Sequence, residues 1–302
     1  MKISLVLGSG GARGYAHIGV LQEIEARGHE VVAISGSSMG ALVGGAYAAG
    51  RLSDATNLAL SLTRLDLWRM LRPGLGGPGF ITGDRLMSLL RRVIGDVRIE
   101  ELPIPYTAVA TDLLSRREIW FHEGPLLAAI RASIAIPTVF TPVMLKGRLL
   151  ADGGLLNPLP VETSLRLDAD LTLAVSLFAK RPGQWSGGAI ELSSDAQPEP
   201  GPLTRLGERI VEALPTRQKL PDDDPNDVFD PLPNNLDLTD MMTMALDVMQ
   251  ARIQATRISV NPPDVHIEVP AELGTILDFD EASRIIAVGR ELAQEKFDEF
   301  GM

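Results

Sequence analysis

The run Val31-Val32-Ala33-Ile34-Ser35-Gly36-Ser37-Ser38-Met39-Gly40 constrains this chain more than any other stretch. A short β-branched segment ends at Gly36, and the Ala-rich, helix-compatible segment Ala41-Leu42-Val43-Gly44-Gly45-Ala46-Tyr47 begins just after Ser38. Between them stands Gly36-x-Ser38-x-Gly40, the spacing of a nucleophile elbow. A serine at such a strand-to-helix turn has its hydroxyl exposed. Gly36 and Gly40 let strand and helix approach without a Cβ clash. The Met39 N–H and the first free amides of the helix make the turn favourable to an anion. Small residues at a strand–helix junction also serve plain packing, so the surrounding chain must separate the two readings.

The N-terminus repeats the architecture. Residues 3–7 read as a short buried strand, and Gly8-Ser9-Gly10-Gly11-Ala12-Arg13-Gly14 follows at once. A helix is expected over 15–27, with Ala16, Gly19, Val20 and Ile24 on its small, apolar face. Consecutive glycines let backbone N–H groups point into one concavity. A dinucleotide fold needs G-x-G-x-x-G, and Arg13 breaks that spacing; a Walker loop needs Gly-Lys-Ser/Thr, which is absent. Two readings stay open: an oxyanion hole beside a nucleophile, or a tight turn.

Further along, the pattern predicts one or two helices over 52–71, with Trp68 and Met70 in the core. The segment 72–80, rich in glycine and proline, is expected to lack regular structure. A helix follows from Gly83-Asp84 to Ile94. Strands over 106–111 and 118–121, a helix over 125–133 and a hairpin from 143 to 150 come next. Ala151-Asp152-Gly153-Gly154 then places an acid directly after an apolar strand, at the carboxyl edge where open α/β sheets build sites. An isolated Asp-Gly is also a common Asx turn. Residues 171–177 read as another buried strand.

Residues 180–202 and 215–235 are rich in Pro, Gly, Asp and Ser. They read as a loop-rich insertion at about 180–235, around a short helix at 203–214, within a single domain spanning 1–302. A long helix at 238–258 carries Met241, Met242, Met244 and Met249, suited to a core or to an adaptable acyl-chain surface. A strand at 265–269 and an amphipathic helix at 280–300, capped by Asp280, close the chain.

Composition narrows the function classes. At 302 residues and 45% hydrophobic, the chain can bury a sizeable core. It has no cysteine, which excludes disulfides, a Cys nucleophile and thiolate metal sites. A net charge of −11 disfavours nucleic acid and simple electrostatic adhesion to anionic lipid. No apolar run approaches bilayer-spanning length, and the N-terminal run is too short for a signal-peptide core. The expectation is a soluble, cytoplasmic protein.

Taken in order, the glycine loop with Arg13, Gly36-x-Ser38-x-Gly40 and Asp152-Gly153-Gly154 resemble the patatin-like phospholipase family. The resemblance runs from residue 3 to about 177, and more loosely through the terminal helices. It is strongest to bacterial members similar to the catalytic domain of neuropathy target esterase. Gly14-Tyr15-Ala16-His17-Ile18-Gly19-Val20-Leu21 and Ala132-Ser133-Ile134-Ala135-Ile136-Pro137 add to it. The family loop often reads Gly-Gly-Gly-x-Arg/Lys-Gly, and here Ser9 stands in its first position, ahead of Gly10-Gly11-Ala12-Arg13-Gly14.

The resemblance implies an α/β protein: a three-layer α/β/α patatin-like fold with a central, mostly parallel sheet. It implies a Ser–Asp dyad, with Ser38 as nucleophile and Asp152 as base. Gly10, Gly11 and Arg13 would supply oxyanion N–H groups. Gly8, Gly14, Gly36, Gly40, Gly153 and Gly154 are the motif glycines. No metal or cofactor is implied. The expected substrate is a lipid or small acyl ester, met in transient contact with a membrane surface. An acyl chain needs an apolar trough beside Ser38; residues 73–80 are its candidate gate and the methionine-bearing helix its candidate wall.

Two alternatives remain at this stage. An α/β-hydrolase triad would need a histidine after Asp152, and His266 is the one available; its alternation with Val265 and Ile267 predicts a solvent-facing strand position. His17 reads as structural, and His29 and His122 as surface or turn residues. The other alternative is a non-catalytic, lipid-binding regulatory protein on the same fold.

Overall fold

A computed structural model describes residues 1–63, 79–81, 83–164, 168–179 and 238–302. Trp68, Met70, most of the glycine-rich segment (72–78) and the expected insertion at 180–235 with its short helix lie outside the described residues.

Ten strands are described: β1 (Lys2–Leu7), β2 (Glu30–Ser37), β3 (Gly79–Ile81), β4 (Tyr106–Asp112), β5 (Arg117–Phe121), β6 (Thr138–Phe140), β7 (Val143–Leu145), β8 (Arg148–Asp152), β9 (Leu171–Ala179) and β10 (Val265–Pro270). The helices are α1 (Ala16–Ala26), α2 (Met39–Ala48), α3 (Leu52–Ser61), α4 (Asp84–Ile94), α5 (Leu126–Ser133), α6 (Leu238–Val260) and α7 (Ala282–Phe300). Eight strands form one sheet in the order β10-β9-β1-β2-β4-β8-β7, with β5 also paired to β4. The run β10-β9-β1-β2-β4 is parallel throughout, while β5, β7 and β8 join antiparallel.

Period-two alternation divides the core. Ile3, Leu5 and Leu7 of β1, with Leu173, Val175 and Leu177 of β9, face a large cluster shared with α1, α2 and α7. Val6 and Ala174 face the other way, against Leu159, Val161 and Ile258 of α6. The sheet is therefore a middle layer between helices, as in the expected α/β/α fold.

One register detail brings the site together. On one edge of β4, Ser37 at the end of β2 lies opposite Val109. Asp152 at the end of β8 lies opposite Ala110, the next residue along. Strand β5 pairs with 108–112 and so occupies the other edge. A strand has two edges, so β2 and β8 share one and run toward each other. Their carboxyl ends meet there, although Ser37 and Asp152 are far apart in sequence.

Three expectations are corrected. Gly79–Ile81 is a strand, parallel to β6, rather than irregular chain. The last helix begins at Ala282, and Asp280 lies in a 3-10 turn ahead of it instead of capping it. Met241, Met242, Met244 and Met249 are exposed rather than core residues, because α6 turns its other face inward, through Gln254, Ile258 and Asp247.

Candidate active site

Ser38 sits between β2 and α2 with φ 54° and ψ −122°, a conformation that non-glycine residues adopt only when the surroundings impose it. The surroundings are specific. The Ser38 N–H donates to Ser133 Oγ at 2.8 Å, and the Ser133 hydroxyl donates to the Val109 carbonyl at 2.6 Å. The Ser38 carbonyl accepts from Ala41 N–H at 2.9 Å and Leu42 N–H at 3.1 Å, starting α2. A Cβ on Gly40 would lie 2.1 Å from the Leu7 carbonyl oxygen, and one on Gly36 would lie 2.5 Å from the Gly40 backbone. The elbow thus requires both glycines, because strand and helix backbones touch there.

Ser38 Oγ and Asp152 Oδ2 lie 2.5 Å apart, and each residue is only 3% exposed. The other carboxyl oxygen, Oδ1, accepts from Gly154 N–H at 2.7 Å. Burial pushes the Asp152 pKa from 3.8 up to about 7, against the opposing pull of the Ser38 and Gly154 hydrogen bonds. Gly153 packs where a Cβ would be 2.2 Å from the Val109 carbonyl oxygen.

The glycine loop lies beside this pair. Gly8 N–H donates to Val175 O at 2.9 Å, and Ser9 N–H donates to Pro158 O at 2.8 Å, so the amide of residue 9 is already engaged. His17 is fully buried; its Nε2–H donates to the Gly8 carbonyl at 2.9 Å, and burial lowers its pKa to about 4. Gly10 precedes a 3-10 turn over Gly11–Tyr15, which contains Arg13 and Gly14. Gly11 has φ 58°, and a Cβ there would meet the Ile276 carbonyl oxygen at 2.5 Å. Gly14 is required by Met39, whose Cγ would lie 2.2 Å from an added Cβ. Arg13 is 1% exposed: its Nε–H donates to Gly10 O at 3.1 Å, and its Nη2 donates to both carboxyl oxygens of Asp247 at 2.9 Å.

Ser38, Met39 and Gly11 open onto an apolar cavity of about 320 Å³. Leu42, Leu58, Leu86, Val139 and Phe279 line much of the rest. The methionines of α6 are absent from its lining, so helices α2, α3 and α4, not α6, supply the apolar wall.

His266 stands elsewhere. It lies on β10, three strand spacings from β2, on the order of 14 Å. It is half-buried rather than solvent-facing, with Nε2 2.9 Å from Ser176 Oγ, because α6 and α7 cover that end of the sheet. Ser133, Asp247 and Gln250 were not singled out by the sequence. Ser133 carries a signal, since it lies in the Ala132–Pro137 motif. Asp247 and Gln250 carry none, because only the packing of α6 brings them to the loop. Among the described residues no group of His, Cys, Asp and Glu could hold a metal ion.

Residues 5–165 match the patatin-like phospholipase family. An NTE family protein of Mycobacterium tuberculosis is 39% identical, over 99% of this chain and 92% of its own length. Patatin-like phospholipase domain-containing protein 6 of Homo sapiens is 33% identical over 58% of this chain and 13% of that protein. Lysophospholipase NTE1 of Mycosarcoma maydis is 34% identical over 59% of this chain and 10% of that protein. With its motifs, its sheet and more than half its length matched, the chain belongs to the patatin-like phospholipase family.

Proposed function

We propose that this protein is a serine acyl-ester hydrolase that removes an acyl chain from phospholipids or lysophospholipids through a Ser38–Asp152 dyad. Family membership supports lipid acyl hydrolysis in general. The observation that carries the finer reading is the 2.5 Å contact between Ser38 Oγ and a buried carboxyl whose pKa is about 7. An ordinary carboxylate is too weak a base to activate a hydroxyl near neutral pH, and burial removes that mismatch.

In the reaction, Asp152 takes the hydroxyl proton as Ser38 Oγ attacks the ester carbonyl carbon. The carbonyl oxygen gains the negative charge and faces the Gly10 and Gly11 amides. Collapse breaks the ester C–O bond, and the Asp152 proton goes to the leaving alcohol. Water then attacks the acyl–Ser38 ester, with Asp152 again accepting a proton. The fatty acid leaves and Ser38 regains its hydrogen. The apolar cavity would take the acyl chain, and its size falls within the usual range for small-molecule sites. The lipid would be met at a membrane surface; no described helix is long and apolar enough to span a bilayer.

The test is hydrolysis of lysophospholipids and short p-nitrophenyl esters by the natural chain, Ser38→Ala and Asp152→Asn. Both substitutions should abolish turnover without unfolding the protein, and an organophosphonate should label Ser38 as read by mass spectrometry. Lipid binding with no turnover would instead favour the regulatory alternative.

A further inference from the structure

The family match ends at residue 165, yet two side chains from α6 reach the glycine loop. Asp247 receives both short contacts from Arg13 Nη2, and Gln250 Oε1 accepts from Ser9 Oγ at 2.6 Å. Residues 247 and 250 are three apart in a helix, so both lie on one face.

Arg13 transmits the contact. Its side chain is 2% exposed and its guanidinium lies 5.1 Å from the centroid of the Phe178 ring. A guanidinium stays charged inside a protein, so burial requires a carboxylate partner, and Asp247 supplies it. The same guanidinium holds the Gly10 carbonyl through Nε–H. That carbonyl shares one planar peptide unit with the Gly11 N–H. Fixing the oxygen on one side therefore fixes the direction of the N–H on the other. Ser9 acts beside the base. Its Oγ and Gln250 Oε1 stand 2.6 and 2.8 Å from where a Cβ of Gly154 would be, and the Gly154 N–H holds Asp152 Oδ1.

We infer that Asp247 and Gln250 are positioning residues that complete the active site: through Arg13 and Ser9 they aim the Gly11 amide and roof the Asp152 carboxyl. The inference rests on the hydrolase reading for its kinetic consequence, but not for its structural one. Helix α6 is thus part of the catalytic unit although it lies outside the family-matched stretch. Ser9, in a place where the family loop often has glycine, provides the hydroxyl that Gln250 receives.

The test uses the full chain with Asp247→Ala, Asp247→Glu and Gln250→Ala. It measures kcat and KM on p-nitrophenyl butyrate, and amide hydrogen exchange over residues 8–14. A mis-aimed donor costs on the order of 100-fold, so Asp247→Ala should lower kcat by about that factor with KM nearly unchanged. Asp247→Glu should recover most of the loss, because its carboxylate still reaches the guanidinium. Gln250→Ala should lower kcat by about tenfold. In both alanine variants exchange over 8–14 should quicken while exchange over 171–179 does not. Natural kcat and natural exchange in folded variants would overturn the inference. If Asp247→Ala fails to fold, Gln250→Ala, which removes a neutral half-buried side chain, decides. If the natural chain cleaves no ester, the hydrolase reading falls, and the exchange result alone decides whether α6 holds the loop.

Discussion

The buried carboxyl of Asp152 is expected to weaken the fold as the pH rises. Its pKa is about 7 in the folded chain against an ordinary 3.8, because burial outweighs the two hydrogen bonds it accepts. The folded state therefore binds this proton more tightly than the unfolded state. Its stabilising contribution is complete below pH 3.8 and is lost as the pH climbs through about 7. At pH 8 the loss amounts to roughly 4 kcal/mol; at pH 5 it is only about 1.5 kcal/mol. Asp152→Asn removes the titration and keeps the shape. The amide oxygen can accept from Gly154 N–H, and the amide nitrogen can donate to Ser38 Oγ. The variant should therefore gain on the natural protein by about 2–3 kcal/mol more at pH 8 than at pH 5. Urea denaturation of both proteins at the two pH values measures this, because the double difference cancels titrating groups common to both. An advantage that is the same at both pH values, or larger at pH 5, would refute the claim that burial dominates at Asp152.

Four further outcomes are expected. The rate of ester hydrolysis should rise through an apparent pKa near 7 as Asp152 ionises, and His266→Ala should leave that limb in place; a limb that disappears with His266 would restore the triad. Ser38→Gly and Ser38→Ala should both abolish turnover, and the glycine variant should be the more stable of the two by about 1 kcal/mol, since both lose the hydroxyl contact with Asp152 but only glycine tolerates the φ of 54°; equal melting temperatures would contradict the strain argument. Ser133→Ala strands the Ser38 N–H and the Val109 carbonyl, and should cost about 1–3 kcal/mol in denaturation together with a drop in kcat. Gly40→Ala forces a Cβ against the Leu7 carbonyl and should cost about 3 kcal/mol or more; natural stability would mean that strand and helix can part at the elbow.

Much of this protein was legible in one dimension. The β-branched run before Gly36 and the small-residue run after Ser38 encode a strand, a tight turn and a helix, because period and turn chemistry are local properties. The same holds for β1 and the glycine loop. The order of the three motifs sufficed to recognise the family. What the residues could not reveal locally is the meeting of β2 and β8 on one edge of β4. That depends on the pairing register of strands far apart in sequence, and it alone brings Ser38 to Asp152. The pKa of Asp152 follows from that meeting, since burial belongs to the packed structure and not to the Asp-Gly-Gly pattern. The methionines of α6 show the same limit from the other side. Their helical spacing predicted a helix correctly, but spacing does not say which face turns inward, and packing turned Asp247 and Gln250 to the glycine loop instead. His266 alternates with apolar neighbours as a surface strand residue would, yet tertiary packing leaves it half-buried beside Ser176. Local pattern decided which elements form; long-range strand register and the choice of helix face decided which side chains share the site.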